Sequence, residues 1–291
     1  MMAYNEGDVV LEALRSLTAW GIKSLAVVDG HSDDGTWEKL LAASRGHYYP
    51  DIDIDLFLER EPRVTDWKEQ KREKAYALAR KIGSFDWIMN IDADMMFDTS
   101  PLEACYIAET TGAKCIFPLI PQFWVTMDDL KNGGAQVVDE SIPVQDRLKW
   151  YSWGWHENRF WKESPDLHYF DETRYGSHLD PMSEYGYVDW PAMQSAALCR
   201  HNLPILKHYS IRGLMQGFAK QLDRLKRGRS HFGKMAEAWI IDEEFCGLAK
   251  QIEPGVWDTT YTHQRLYDWF ARANECANEI AAAVNLGEST Y

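Results

Sequence analysis

The chain has no pair of cysteines at CxxC spacing and no long hydrophobic run. Its five cysteines, Cys105, Cys115, Cys199, Cys246 and Cys276, are scattered and odd in number. That pattern excludes a disulfide framework or a zinc ribbon and leaves free thiols in a reducing compartment. Without some twenty consecutive apolar residues, no segment is expected to span a bilayer. The opening "MMAYNEGDVV" lacks the basic flank and apolar core of a signal peptide. A cytoplasmic location is therefore expected, with peripheral attachment to a membrane left open. Basic residues are also in deficit: 31 Lys and Arg face 45 Asp and Glu, a formal charge of −14. No basic stripe is available to neutralise phosphates along a duplex, so nucleic acid is not an expected partner. Low-complexity tracts and fixed-period repeats are absent too.

What is present is a globular composition, 45% apolar and 26% charged over 291 residues, enough to bury a large core. Tryptophan is abundant, 13 in all, with many between positions 124 and 190. Aromatic faces stack on the apolar faces of sugars, although Trp equally fills cores.

The first half alternates between helical and extended patterns. "DVVLEALRSLTAWG" spaces Val10, Leu14 and Leu17 as one helix face and stops at Gly21. "IKSLAVV" reads as a buried strand, and "DGHSDDG" as a turn whose Asp33 or Asp34 could cap the helix "TWEKLLAAS". "IDIDLFLER" and "FDWIMNI" read as further strands. Between them "DWKEQKREKAYALARKIG" carries an apolar stripe of Ala75, Leu78, Ala79 and Ile82. "PLEACYIAETTG" and "KCIFPLI" supply one more helix and strand. Such alternation predicts βαβ units and a mostly parallel α/β sheet flanked by helices. From about residue 120 the pattern loosens into a loop-rich half, with "LPILKHYSIRG" as a last strand. Three amphipathic segments, "LMQGFAKQLDRLKRG", "KMAEAWIIDEEFCGLAKQ" and "HQRLYDWFARANECANEIAAAV", predict a helical C-terminal region.

Ligands of parallel sheets bind beyond the carboxyl ends of the strands. Asp29 follows one predicted strand and Asp92 another, so both are expected at one edge. In "NIDADMMF", Asp92 and Asp94 lie at i and i+2 of an extended segment and face one side. Two carboxylates so placed suit Mg²⁺ or Mn²⁺.

The blocks "AYNEGDVVLEALRSL", "LAVVDGHSDDGTWEKL" and "REKAYALARKIGSFDWIMNIDADMMF" resemble, in order and spacing, the successive signatures of family 2 glycosyltransferases. The resemblance covers about residues 3 to 98. It implies the glycosyltransferase-A fold, a Rossmann-like sheet, and inverting, metal-dependent transfer from a nucleotide sugar to a hydroxyl acceptor such as a glycan or lipid-linked saccharide. A UDP-sugar is the favoured donor, with GDP and dTDP left open. Three segments are then expected. Residues 1–118 form the nucleotide-sugar-binding half, 119–211 the acceptor half, and 212–291 helices packed on the same unit. By the same resemblance Tyr4, Asn5 and Glu6 would lie beside the nucleoside and Asp29 would contact base or ribose. Arg72 or Lys74 would lie near base and diphosphate, Asp92 near ribose or metal, and Asp94 on the Mn²⁺ or Mg²⁺ itself. The family's opening strand is a longer apolar run than the Met1, Met2 and Ala3 that precede Tyr4, so either that strand is truncated or the numbered chain starts late. Enzymes of this fold often add a histidine from a later segment, and "ILKHYS" offers His208.

Inverting transfer also needs a carboxylate base. Asp180 in "HLDPMSEYGYVDWP" is preferred over Glu184, Asp189 and Glu157. Trp150, Trp153, Trp155 and Trp161 are candidates for an acceptor platform. A haloacid-dehalogenase phosphohydrolase shares an apolar strand followed by DxD, but position 96 is Met where that chemistry wants Thr or Val. A nucleotidyltransferase lacks its Gly-rich phosphate loop here. A non-catalytic carbohydrate-binding protein is the remaining alternative.

Overall fold

A computed structural model of the chain describes residues 1–62, 67–113, 115–116, 118–133, 136, 139, 141–153, 159–163, 168–169, 181–182, 204–209, 248–253 and 255–257. The chain forms two compact units. One comprises Met1–Ile120 with Trp155–His208, the other Pro121–Gly154 with Tyr209–Tyr291.

The first unit opens β1 (Met2–Ala3), α1 (Val10–Ala19), β2 (Ser24–Asp29), α2 (Thr36–Ser44), β3 (Asp55–Arg60), α3 (Trp67–Ile82) and β4 (Trp87–Met89). It continues with β5 (Met95–Phe97), α4 (Pro101–Thr111) and β6 (Cys115–Ile116). Each element follows its sequence pattern. Val10, Ala13, Leu14 and Leu17 of α1 are fully buried, and Gly21 ends the turn after the helix at φ +78°. In α4, Ser100 accepts from the Glu103 N–H at 3.1 Å, Pro101 takes the first turn and Gly112 closes the helix at φ +75°. The expected aspartate cap of α2 takes another form. Gly35 precedes that helix at φ +89°, and Asp34 instead accepts from the Thr36 backbone N–H at 3.0 Å. On α3, Ala75 is buried as expected, but Tyr76 is buried beside it.

Strands β1, β2 and β3 are parallel, in that order. Leu25 to Asp29 of β2 are buried throughout, as a strand covered on both faces requires. Met2 pairs with Val28 on one side and bridges Asp92, also in parallel, on the other. The expected parallel βαβ order therefore holds from β3 through β1 to the segment after β4.

Beyond that point the sheet departs from a mostly parallel one. The later chain contributes β9 (Phe160–Lys162), the pair β10 (His168–Tyr169) and β11 (Pro181–Met182), and β12 (Leu206–His208). Strand β9 lies between β4 and β6, antiparallel to both. Strand β12 runs antiparallel to β5. Residues around "RFWK" were expected to be loop. Instead Phe160 and Trp161 fill the gap between two parallel strands and are almost wholly buried. A two- or three-residue apolar run is too short for its period to be read, and only its partners make it a strand.

The second unit contains β7 (Pro121–Trp124), a π-helical turn at Asp129–Gly133, α5 (Val144–Arg147), β8 (Trp150–Trp153) and β13 (Ala249–Lys250). Strand β8 pairs antiparallel with both β7 and β13. Its core is aromatic: Phe123 stacks on Tyr209 with centroids 4.7 Å apart, and Trp257 meets Tyr151 edge-on at 4.9 Å. At its surface Asp128 accepts from Lys250 and from the Trp150 indole, each at 2.9 Å. The Lys250 hydrogen bond leads the causes that hold the Asp128 carboxyl at about 2. Most of the predicted C-terminal helices lie outside the described residues, but the end of the second, Ala249–Lys250, is strand rather than helix because it pairs with β8. No described helix is long and apolar enough to cross a membrane.

Lys207 and Asp98 form a buried ion pair at 3.0 Å beside the β5–β12 pairing, with side chains 7% and 9% exposed. Removing one partner of a buried ion pair costs about 3–5 kcal/mol. The Asp98→Ala variant is expected to lose stability in that range in urea melts. A loss under about 1 kcal/mol would mean that the lysine finds water.

Candidate nucleotide and cation site

Several charged groups of the first unit lie where its parallel strands end. Asp29 is the last residue of β2 and is fully buried. Its Oδ2 accepts from the Ser32 N–H at 3.0 Å and from Arg60 Nε at 3.2 Å, and its Oδ1 accepts from Ser32 Oγ at 2.5 Å. Arg60 ends β3 directly across from Asp29 in the parallel register. Its Nη2 donates to the Ser32 carbonyl at 2.7 Å, and its guanidinium lies 5.4 Å from the Trp37 ring centroid. A buried carboxylate is tolerated where donors surround it, and here a backbone N–H, a hydroxyl and a guanidinium do so.

The loop after β1 is stitched to this turn. Asn5 and Asp33 exchange hydrogen bonds: Asn5 Nδ2 donates to Asp33 Oδ1 at 2.8 Å, and the Asp33 N–H donates to Asn5 Oδ1 at 3.1 Å. The Asn5 N–H reaches Ser32 Oγ at 3.0 Å and the Glu6 N–H reaches Thr36 Oγ1 at 2.9 Å. Asn5 and His31 hold left-handed backbone at φ +53° and +59°. Such conformations persist where surrounding bonds over-determine them, and they cluster at binding sites. Glu6 is buried and its carbonyl accepts from the Val9 and Val10 N–H groups that start α1. Tyr4 is half-buried at the end of β1. Tyr4, Asn5, Glu6 and Asp29 therefore share one pair of loops.

Lys74 reaches the same edge by pairing with Glu61, next after β3, at 2.6 Å. For Arg72 only the backbone of α3 is described, so its predicted contact lies outside the described side chains.

Asp92 and Asp94 follow β4, and the structure gives them different partners. Asp92 Oδ2 lies 3.3 Å from Arg159 Nη2, and that arginine is 3% exposed. Its backbone carbonyl accepts from the Asn90 N–H at 2.8 Å, so the strand that enters beside β4 delivers the guanidinium. Asp94 is buried, and its Oδ1 stands 3.6 Å from His208 Nε2. The register explains that meeting: His208 pairs with Met95, the residue after Asp94. The spacing is short enough for both to reach one divalent ion: the carboxylate oxygen suits Mg²⁺ or Mn²⁺, while the imidazole nitrogen leans toward a transition metal such as Mn²⁺. Among the described residues no group of three or more His, Cys, Asp or Glu gathers as metal ligands. A cation would take its other positions from phosphate and water.

Arg60 and Arg159 were not singled out from the sequence. Arg60 was legible, since an ionisable residue that ends an apolar strand lands on the same edge as Asp29. Arg159 had no local signal, because it directly precedes a strand only three residues long. Asp180, Glu157, Glu184 and Asp189 lie outside the described residues, as does Trp155 and the side chain of Trp153. Trp161 is 2% exposed and therefore part of the core, not of an acceptor platform. Trp150 is half-buried and engaged by Asp128 and Lys250 in the second unit.

Together these elements define a mixed α/β protein whose parallel strands end in paired charges. Among solved structures the chain resembles S. aureus TarS 1-349, at TM-score 0.40 and 12% identity, covering 81% of this chain and 68% of that one. A second structure of S. aureus TarS matches at TM-score 0.40 and 11% identity, covering 81% of this chain and 41% of that one. The likeness is too distant to carry a functional argument. No family model and no curated protein sequence matches the chain.

Gly7 tests the stitched loops. A Cβ there would meet the Asp34 backbone oxygen at 2.7 Å, while the Gly7 N–H already donates to Asp34 Oδ2 at 2.8 Å. Gly7→Ala must push the two loops apart and is expected to cost about 1–3 kcal/mol in denaturant melts. An unchanged midpoint would show that the loops are not held together as described.

Proposed function

We propose that the protein is a metal-dependent, inverting glycosyltransferase that moves a sugar from a nucleotide donor, UDP-linked by preference, to a hydroxyl acceptor such as a glycan or lipid-linked saccharide. The observation that carries this reading is the meeting of Asp94 and His208 at 3.6 Å, on the sheet edge that Asp29 and Arg60 also occupy. In this reading Asp29, Asn5 and the neighbouring Tyr4 and Glu6 receive the nucleoside. Lys74, with Arg72 on the same helix, faces the diphosphate. Asp94 and His208 hold Mn²⁺ or Mg²⁺, which supplies positive charge against the departing diphosphate. Asp92 orients the ribose or approaches the cation while Arg159 balances its charge. Asp180 takes the proton from the acceptor hydroxyl as that oxygen attacks the anomeric carbon and the nucleoside diphosphate leaves.

The reading also explains why so few protein donors gather at the cation. Mg²⁺ is commonly held by one or two carboxylates together with substrate phosphates. The phosphohydrolase alternative fits less well. It needs Asp92 as a nucleophile, and the buried Arg159 beside it stabilises the carboxylate in place.

A thermal-shift screen with nucleoside diphosphates, with and without Mn²⁺, is the first test. UDP is expected to raise the melting temperature only when Mn²⁺ is present. Asp94→Ala should remove that synergy and lower transfer at least about a hundredfold while leaving the apo melting temperature within a few degrees. His208→Ala should raise the Mn²⁺ concentration needed. Full activity of Asp94→Ala, or activity in excess chelator, would exclude a cation at this place.

Asp180→Asn separates binding from chemistry. The variant should keep the donor-induced thermal shift and lose most transfer, about a hundredfold or more. Unimpaired transfer would move the base to Glu157, Glu184 or Asp189.

A further inference from the structure

Arg60 spends only part of its hydrogen-bonding capacity on the turn after β2. A guanidinium carries five N–H donors in one plane and no acceptor. Two are engaged: Nε donates to Asp29 Oδ2 at 3.2 Å and Nη2 to the Ser32 carbonyl at 2.7 Å. The remaining three, both on Nη1 and the second on Nη2, make no hydrogen bond to a described residue. Asp29 is 0% exposed, whereas the Arg60 side chain is 34% exposed. The bonded flank of the guanidinium therefore faces the interior, and its open end faces outward at the sheet edge. The plane itself is held from three places: Asp29 on β2, Ser32 in the turn, and the Trp37 ring on α2, 5.4 Å from the guanidinium. A row of donors fixed in this way is ordered before any ligand arrives.

We infer that the open end of Arg60 reads the nucleobase of the donor. It selects a base with a carbonyl oxygen at the pyrimidine 4-position or purine 6-position (uracil, thymine or guanine) over the amino bases cytosine and adenine. The inference rests on the proposed reading, in which the nucleoside lies at Asp29. A phosphate is the poorer occupant. The charge of Arg60 is already balanced by Asp29, and the same turn carries Asp33 and Asp34. A neutral carbonyl needs donors but no net positive charge. The amino group of cytosine or adenine would set donor against donor. A site that leaves its polar groups unpaired against one ligand discriminates against it.

The test titrates UDP, CDP, GDP and ADP by calorimetry in saturating Mn²⁺. It compares the wild-type chain with Arg60→Met, Arg60→Lys and Ser32→Ala. The wild-type chain is expected to favour UDP over CDP, or GDP over ADP, by at least about tenfold. The pair that shows the preference tells pyrimidine from purine. Arg60→Met removes the donors, and Arg60→Lys keeps a charge beside Asp29 while losing the planar fork. Each should bring the ratio within about threefold, and Arg60→Lys decides if Arg60→Met does not fold. Ser32→Ala removes a hydroxyl bond to Asp29 but leaves the fork, so it should weaken both members of the pair and keep their ratio. Equal wild-type affinities within both pairs would overturn the inference. So would an undiminished ratio in either folded Arg60 variant, or a ratio that collapses equally in Ser32→Ala. Absence of Mn²⁺-dependent binding by all four nucleotides would instead strike the proposed function, and this inference with it.

Discussion

Met2 is paired on both sides, with Val28 and with Asp92, and most of the site follows from that double pairing. It fixes β1 between two strands from distant parts of the sequence. The loop after β1, the turn after β2 and the aspartate segment after β4 must then open at a common edge. A slip by one residue would part Asp29 from Arg60, which stand opposite each other in the β2–β3 register. The positions of Asn5, Asp29 and Asp92 are consequences of register before they are consequences of charge.

Charge then settles the local arrangement. Three carboxylates sit close to the end of the sheet, and each meets a basic side chain from another strand: Asp29 with Arg60, Asp92 with Arg159, Asp94 with His208. The first two cations are arginines, permanently charged and able to satisfy a desolvated carboxylate. The third is a histidine, whose neutral ring can accept a cation as well as a proton. The asymmetry distinguishes Asp94 from Asp92, although the two stand in one motif. Under the proposed function the cation is therefore placed at Asp94, beside the histidine, and not at the carboxylate that an arginine already meets.

The same pairing has a weak side. Strand β1 covers only two residues, whereas β2 covers six. The strands on either side of β1 are held from beyond it, β2 by β3 and β4 by β9.

The sequence by itself determined the βαβ order, the helix limits at Gly21 and Gly112, and the presence of Asp29, Asp92 and Asp94 at strand ends. These are local properties: periodicity, turn chemistry and the alternation of apolar runs are written in neighbouring residues. Tertiary structure decided that Asp92 belongs with Arg159 and Asp94 with His208, because those partners lie 67 and 114 positions away and arrive just before or on strands of three residues. It also decided that Trp161 packs inside while Trp150 stays half-exposed. Strands so short carry no period of their own, and only the hydrogen bonds of the strands beside them fix which way their side chains point.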